Sequence, residues 1–216
     1  AAAPSVGRVP PPAVVPRPSE IAGTRFIRVL LAAPSAGMIV EGETVRAWGP
    51  DGRLSGEARG AVTLSAVGER IRWNGNRLLG DSIDVAGVPE LKVSGIRTPG
   101  RVRIAARKGQ IMAVAAVPLE TYVAAVLSRE AAPKFSPEAL KAMAVAFRTY
   151  ALGMTRTPRD EAYDVAGSVE DQVFEGIDDV APPFREAVEA TRGEVAFYQG
   201  EPARTVYHST CGGRTE

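Results

Sequence analysis

The chain has 216 residues, 45% hydrophobic and 24% charged, and its 26 Lys and Arg against 25 Asp and Glu leave a net charge of +1. At about 150 residues per domain this is one large or two small domains of ordinary globular composition, and the balanced charge argues against nucleic acid as a partner. A single Cys excludes an internal disulfide framework, one Cys with one His is too few for a structural zinc site, and charged residues or glycines interrupt every apolar run before the roughly 18 residues of a membrane helix.

Residues 1–23 open with AAAPSVGRVPPPAVVPRPSE, six prolines among small residues and two arginines. Proline holds φ near one value and donates no hydrogen bond, so this reads as an extended tether or disordered tail, the start expected of a mature exported chain. From Thr24 onward short strands are expected: 26–31, 37–40, 61–64 and 70–73, the last closed by Asn74-Gly75. The clearest hairpin joins 101–107 to 110–114 through Lys108-Gly109, with Arg101 and Arg103 alternating with Val102 and Ile104 as in a strand with one wet face. Residues 24–113 thus read as a small antiparallel β domain, a scaffold or docking module without His, Cys or a convincing acid pair.

The pattern changes at Pro118, whose fixed φ suits the start of a helix carrying Leu119, Tyr122, Val123, Val126 and Leu127 at helical spacing. Ser136-Pro137-Glu138 reads as N-cap, N1 proline and acidic first turn of a second helix, expected to run to Leu152 and stop at Gly153. A third helix is expected over 183–192, then strands at 194–198 and 205–207. The fold class is α+β: the β domain, then a mixed helix and strand domain over 114–216. The end at CGGRTE follows directly on a strand-like run, so the native sequence is expected to continue.

Three constellations carry chemistry. The apolar stripe 119, 122, 123, 126, 127 points next to position 130, which is Glu, at a helix C-terminal end. Burial and the negative end of the helix dipole both disfavour its ionised form, and a carboxyl held protonated is what a general acid requires. The plainer alternative is a helix-end Glu that swings to solvent or pairs with Arg148 or Lys134. Next, Arg148, Thr149 and Tyr150 put a guanidinium and two hydroxyls in one turn, able to bind a sugar or, for Arg148, to answer Glu138 or an acid of the loop after Gly153. Finally His208, Ser209 and Cys211 lie together before paired glycines; a polar groove lining is preferred there to a Cys–His nucleophile.

The run PLETYVAAVLSREAAPKFSPEALKAMAVAFRTYAL resembles the signature of the stage II sporulation protein D and amidase-enhancer (LytB) domain. DQVFEG, with Gln172, Val173, Phe174 and Gly176, resembles the family's Gln-Val-aromatic-x-Gly segment, and AVEATRGEVAFYQGEPARTVYHSTCGGRTE its closing strands. These blocks occur in order over about Val114 to Glu216. The resemblance implies an extracytoplasmic protein (periplasmic, secreted or membrane-tethered) whose partner is peptidoglycan. It further implies a lytic transglycosylase that cleaves the MurNAc–GlcNAc bond of stem-peptide-free strands, with Glu130 as the catalytic group by its place in the signature. Arg148, Thr149, Tyr150, Gln172, His208 and Ser209 follow as substrate-binding residues by motif position. The alternative within the family is a non-catalytic glycan-binding enhancer of a cell-wall amidase. Some relatives hold zinc through Cys and His in the loop before the Gln-Val segment. Here that loop, 163–171, has neither, so no metal or other cofactor is expected. Met143 and Phe147 stand where the resemblance would put Gln and Ala.

Overall fold

A computed structural model describes residues 25–207. In chain order it forms β1 (Phe26–Ser35), β2 (Gly37–Glu41), β3 (Thr44–Trp48), β4 (Leu54–Arg59), β5 (Val62–Val67), β6 (Arg70–Trp73), β7 (Arg77–Leu78), β8 (Ser82–Val88), β9 (Leu91–Val93), β10 (Ile96–Thr98), β11 (Val102–Arg107) and β12 (Gln110–Pro118). There follow α1 (Leu119–Glu130), α2 (Pro137–Arg156), β13 (Val165–Ala166), α3 (Pro182–Ala190), β14 (Phe197–Tyr198) and β15 (Glu201–Pro202). The fold is α+β.

Two larger sheets carry the β part, ordered β13-β1-β12-β11-β8-β3-β4 and β10-β9-β2-β5-β6-β7. In the second sheet the pleat sorts side chains by polarity: β2 buries Met38 and Val40 and exposes Gly37, Ile39 and Glu41. The central strands of the first sheet are buried on both faces and read as continuous apolar runs. On one face Ile27, Val29, Ile104, Ile111 and Ala113 join a core that also takes in Leu64 and Ile71 of the second sheet and Tyr122, Val123 and Phe147 of the helices. On the other, Leu30, Ala105, Met112 and Val114 pack with Ala162 and Tyr163.

The helical segment is tied into this sheet. β12 pairs antiparallel with β1 and passes directly into α1, whose Leu119 N–H donates to the Arg25 carbonyl at 2.8 Å. After α2 the chain returns to pair β13 in parallel with β1. There Asp164 receives the backbone N–H and guanidinium of Arg28 in an ion pair of 2.7 Å that is almost wholly buried. The strand at the edge of the first sheet therefore comes from the second half of the sequence.

α2 begins as expected, with Ser136 Oγ accepting the Ala139 N–H at 3.3 Å and Pro137 in the first turn. It differs at the other end, running past Gly153 to Arg156. Met154 there packs against the core, Thr155 Oγ1 donates to the Leu152 carbonyl at 2.8 Å, and the helix stops at Thr157. A mid-helix Gly costs only about 1 kcal/mol, which one further anchored turn offsets. The strand expected over 194–198 shortens to Phe197–Tyr198, turning through Gln199 and Gly200 at positive φ onto β15. Residues 205–207 form no strand. They lie along α2 instead, with Thr205 Oγ1 donating to the Ala146 carbonyl at 2.7 Å and the Tyr207 ring 4.7 Å from that of Phe147.

Candidate active site

Glu130 is the last residue of α1, one step beyond the buried Tyr122, Val123, Val126 and Leu127, and it is half-buried. Ala131 turns into extended backbone and donates its N–H to the Leu127 carbonyl, which closes the helix. What faces the carboxylate comes from the irregular segment 167–176. Val173 donates its backbone N–H to Glu130 Oε1 at 3.0 Å. Next to it Gln172 is completely buried, and its Oε1 accepts the Tyr122 hydroxyl at 3.1 Å. The Gln172 Nε2 has no hydrogen-bond partner among the described residues.

Since 167–176 has no ladder, other contacts fix it. Phe174 stacks on Tyr122 with ring centres 5.6 Å apart and an interplanar angle of 19°. Gly176 sits at φ +104°, and a Cβ there would lie 2.8 Å from the Arg97 carbonyl, so both conformation and space demand glycine. Ile177 then donates its N–H to that carbonyl at 3.1 Å. At the near end Asp171 accepts the Tyr150 hydroxyl at 2.6 Å, Arg159 Nε at 3.0 Å and the Ala166 N–H at 2.8 Å.

These contacts shape the local electrostatics. Burial pushes Asp171 up, but the hydrogen bonds of Arg159, Tyr150 and Ala166 outweigh it and hold the carboxyl below its usual range. Burial and the bond to Asp171 push the Tyr150 phenol up to about 12. Tyr207 is raised further, by burial first and then by the negative charge of Glu130. Tyr122 is raised well above its ordinary value, chiefly by burial. All three phenols are neutral at neutral pH. Tyr150 and Asp171 line a cavity of about 760 Å³ that extends to Arg156, Arg204 and Val206; Glu130 is not one of its wall residues.

Of the residues expected from sequence, Glu130, Gln172 and Tyr150 fall in this region. Arg148 and Thr149 face elsewhere. Arg148 is wholly buried, binds Glu120 through Nε at 3.0 Å and Nη2 at 2.6 Å, and donates to the carbonyls of Glu194 and Val188. Glu120 begins α1 and Glu130 ends it, about 15 Å apart at 1.5 Å per residue. Thr149 donates to the Val145 carbonyl at 2.6 Å and accepts the Ala196 N–H at 3.0 Å, pinning the chain after α3 to α2. The acid that Arg148 answers is thus Glu120, and neither Glu138 nor Glu130. His208, Ser209 and Cys211 lie outside the described residues. Tyr122, Asp171 and Tyr207 were not foreseen; Asp171 opens the DQVFEG segment and Tyr122 sits in the helix stripe, but Tyr207 gave no signal beyond a strand-like run. Among the described residues no three His, Cys, Asp or Glu side chains are grouped to hold a metal ion.

A glutamate at a helix end, bonded by the backbone of a separate loop and flanked by neutral phenols, makes this an α+β protein with a candidate single-acid site. Residues 107–198 match the family model SpoIID, stage II sporulation protein. It is 33% identical over 125 residues to an uncharacterized protein of Brachyspira hyodysenteriae, covering 57% of this chain and 34% of that one. Stage II sporulation protein D of Bacillus subtilis is 28% identical over 115 residues, 46% of this chain and 34% of that protein. The namesake protein of Bacillus amyloliquefaciens is 31% identical over 115 residues, 46% of this chain and 33% of that protein. The chain therefore spans about a third of the length of these relatives.

Proposed function

We propose that this protein has a cell-wall role and is a lytic transglycosylase of peptidoglycan, with Glu130 as its acid and base. The match of residues 107–198 to the SpoIID family model supports the cell-wall role. The observation that carries the catalytic part is the Glu130 carboxyl, half-buried, with one oxygen engaged by the Val173 N–H at 3.0 Å. A carboxyl so tethered keeps a fixed direction and leaves its other oxygen for proton transfer.

Protonated Glu130 donates to the glycosidic oxygen between N-acetylmuramic acid and N-acetylglucosamine as that bond breaks. Positive charge develops at the muramic C1, and the resulting carboxylate takes the proton of the same sugar's C6 hydroxyl while that oxygen bonds to C1 and closes an anhydro ring. The proton removed replaces the proton given, so one carboxyl returns to its starting state. Neither water nor an enzyme nucleophile attacks, and the second carboxylate of the paired-acid hydrolases has no part. The neutral phenol of Tyr207, close enough for the Glu130 charge to raise its pKa, is the neighbouring group placed to stabilise the carboxylate between the two transfers.

A second reading, a glycan-binding enhancer of a cell-wall amidase, draws on Glu130 not being a wall residue of the neighbouring cavity. Digestion of purified, stem-peptide-free glycan strands by the protein alone, with mass analysis of the products, separates the two. The catalytic reading expects fragments ending in anhydro-muramic acid. Intact strands, together with stimulation of an added amidase, would favour the enhancer.

A further inference from the structure

We infer that Asp171, through its bonds to Tyr150 and Arg159, is a positioning residue that sets the direction of the Glu130 carboxyl. The inference rests on the catalytic reading of Glu130. Three facts carry it. First, the Asp171 side chain is 0% exposed although it is charged, and Arg159, which answers it, remains 43% exposed. A carboxylate so enclosed in a loop has a reason to be there beyond solubility.

Second, its two oxygens together take partners of different origin. Oδ1 takes the Tyr150 hydroxyl at 2.6 Å from the middle of α2, and Arg159 Nε at 3.0 Å and Nη2 at 2.9 Å from the loop after it. Oδ2 takes the Ala166 N–H at 2.8 Å from β13 and shares Arg159 Nε at 3.0 Å, and Arg159 Nη2 also reaches the Glu170 carbonyl at 2.6 Å. One side chain thus fixes its own backbone against a helix, a strand and a loop.

Third, the backbone it fixes is the one that touches the acid. Gln172 and Val173 follow directly, one supporting Tyr122 and the other donating to Glu130. No strand ladder holds 171–173, so the position of the Val173 N–H depends on Asp171 behind it and on Phe174 and Gly176 ahead of it. Losing the near anchor lets the N–H drift and the carboxyl turn with it. Misplacement by about 1 Å is enough to cost about a hundredfold in rate. Asp171 does not itself touch Glu130, so its effect passes through the peptide chain.

The test compares the parent with Asp171→Asn, Tyr150→Phe, Arg159→Ala and Arg159→Lys, on stripped glycan strands and by hydrogen exchange of the amides of 171–174. Asp171→Asn is expected to lower kcat about ten- to a hundredfold with KM within about twofold of the parent, and to speed exchange at Val173. Arg159→Lys should recover part of what Arg159→Ala loses. A folded Asp171→Asn protein with parental kcat and parental exchange would overturn the inference, as would a loss expressed only in KM. Should Asp171→Asn fail to fold, Arg159→Ala with unchanged kcat and unchanged Val173 exchange overturns it equally. If the parent itself releases no fragments, the catalytic reading fails, and unchanged exchange at Val173 still refutes the clamp by itself.

Discussion

Replacing Arg148 by Ala separates a binding role from a structural one. The guanidinium is wholly buried among Glu120, the Glu194 carbonyl and the Val188 carbonyl, and the Glu120 side chain is only 19% exposed. Truncation leaves a poorly solvated carboxylate without its cation, and removing one partner of a buried ion pair costs about 3–5 kcal/mol. Glu120 keeps some contact with water and the Gly193 N–H at 3.3 Å, so the lower end, about 3 kcal/mol, applies. For a domain of this size that is a fall in Tm of about 6–12 °C, read by calorimetry or circular dichroism. Arg148→Lys restores charge without the forked geometry and should recover part of the loss. Replacing both partners, Glu120→Leu with Arg148→Met, should recover more, because no charge is then stranded. An Arg148→Ala protein that melts like the parent yet no longer binds glycan would refute the reasoning and return Arg148 to the groove.

Tyr207→Phe removes the hydroxyl whose pKa the Glu130 charge raises but keeps the ring on Phe147; losing about 1.4 kcal/mol of carboxylate stabilisation predicts about tenfold slower fragment release at unchanged Tm. Asp171 sets an acid limit on stability: its folded pKa lies below the ordinary 3.8, so its contribution is complete above that value and disappears as pH falls through the lower folded one. Acid unfolding followed by fluorescence should show this limb in the parent and not in Asp171→Asn. Gly176→Ala forces a side chain into φ +104° and against the Arg97 carbonyl, and should cost about 1–3 kcal/mol in urea unfolding.

Much of the fold was legible because polarity follows the pleat. The hairpin of β11 and β12 and the strand β6 fall where alternation and the Lys108-Gly109 and Asn74-Gly75 turns predict them. β4 was silent for a physical reason: of its six residues only Gly56 is buried, under the Trp73 ring, so no apolar pattern marks it. β8 was hidden by the polar Asp84, which pairs with Arg103 of the neighbouring strand at 2.5 Å, a partner that only tertiary structure supplies. The helices were clearer, since a stripe names its own face; the same stripe isolated Glu130 one step beyond Leu127. It could not show which way Arg148 points. Helical spacing places a residue on its own helix and leaves the partner, here Glu120 from α1, to the packing. Tyr207 comes onto Phe147, near the Glu130 charge, only because the chain after β15 runs along α2 rather than forming a strand.

The most direct measurement is the rate at which Glu130→Gln releases anhydro-ended fragments from stripped glycan strands, set beside the parent. Gln keeps the shape of the side chain and an oxygen for the Val173 N–H, so the fold and glycan binding should persist while the group can no longer give and take a proton. The account predicts an intact protein that binds strands and cuts them at least about a hundredfold more slowly. Fragment release at the parental rate by that variant would contradict it.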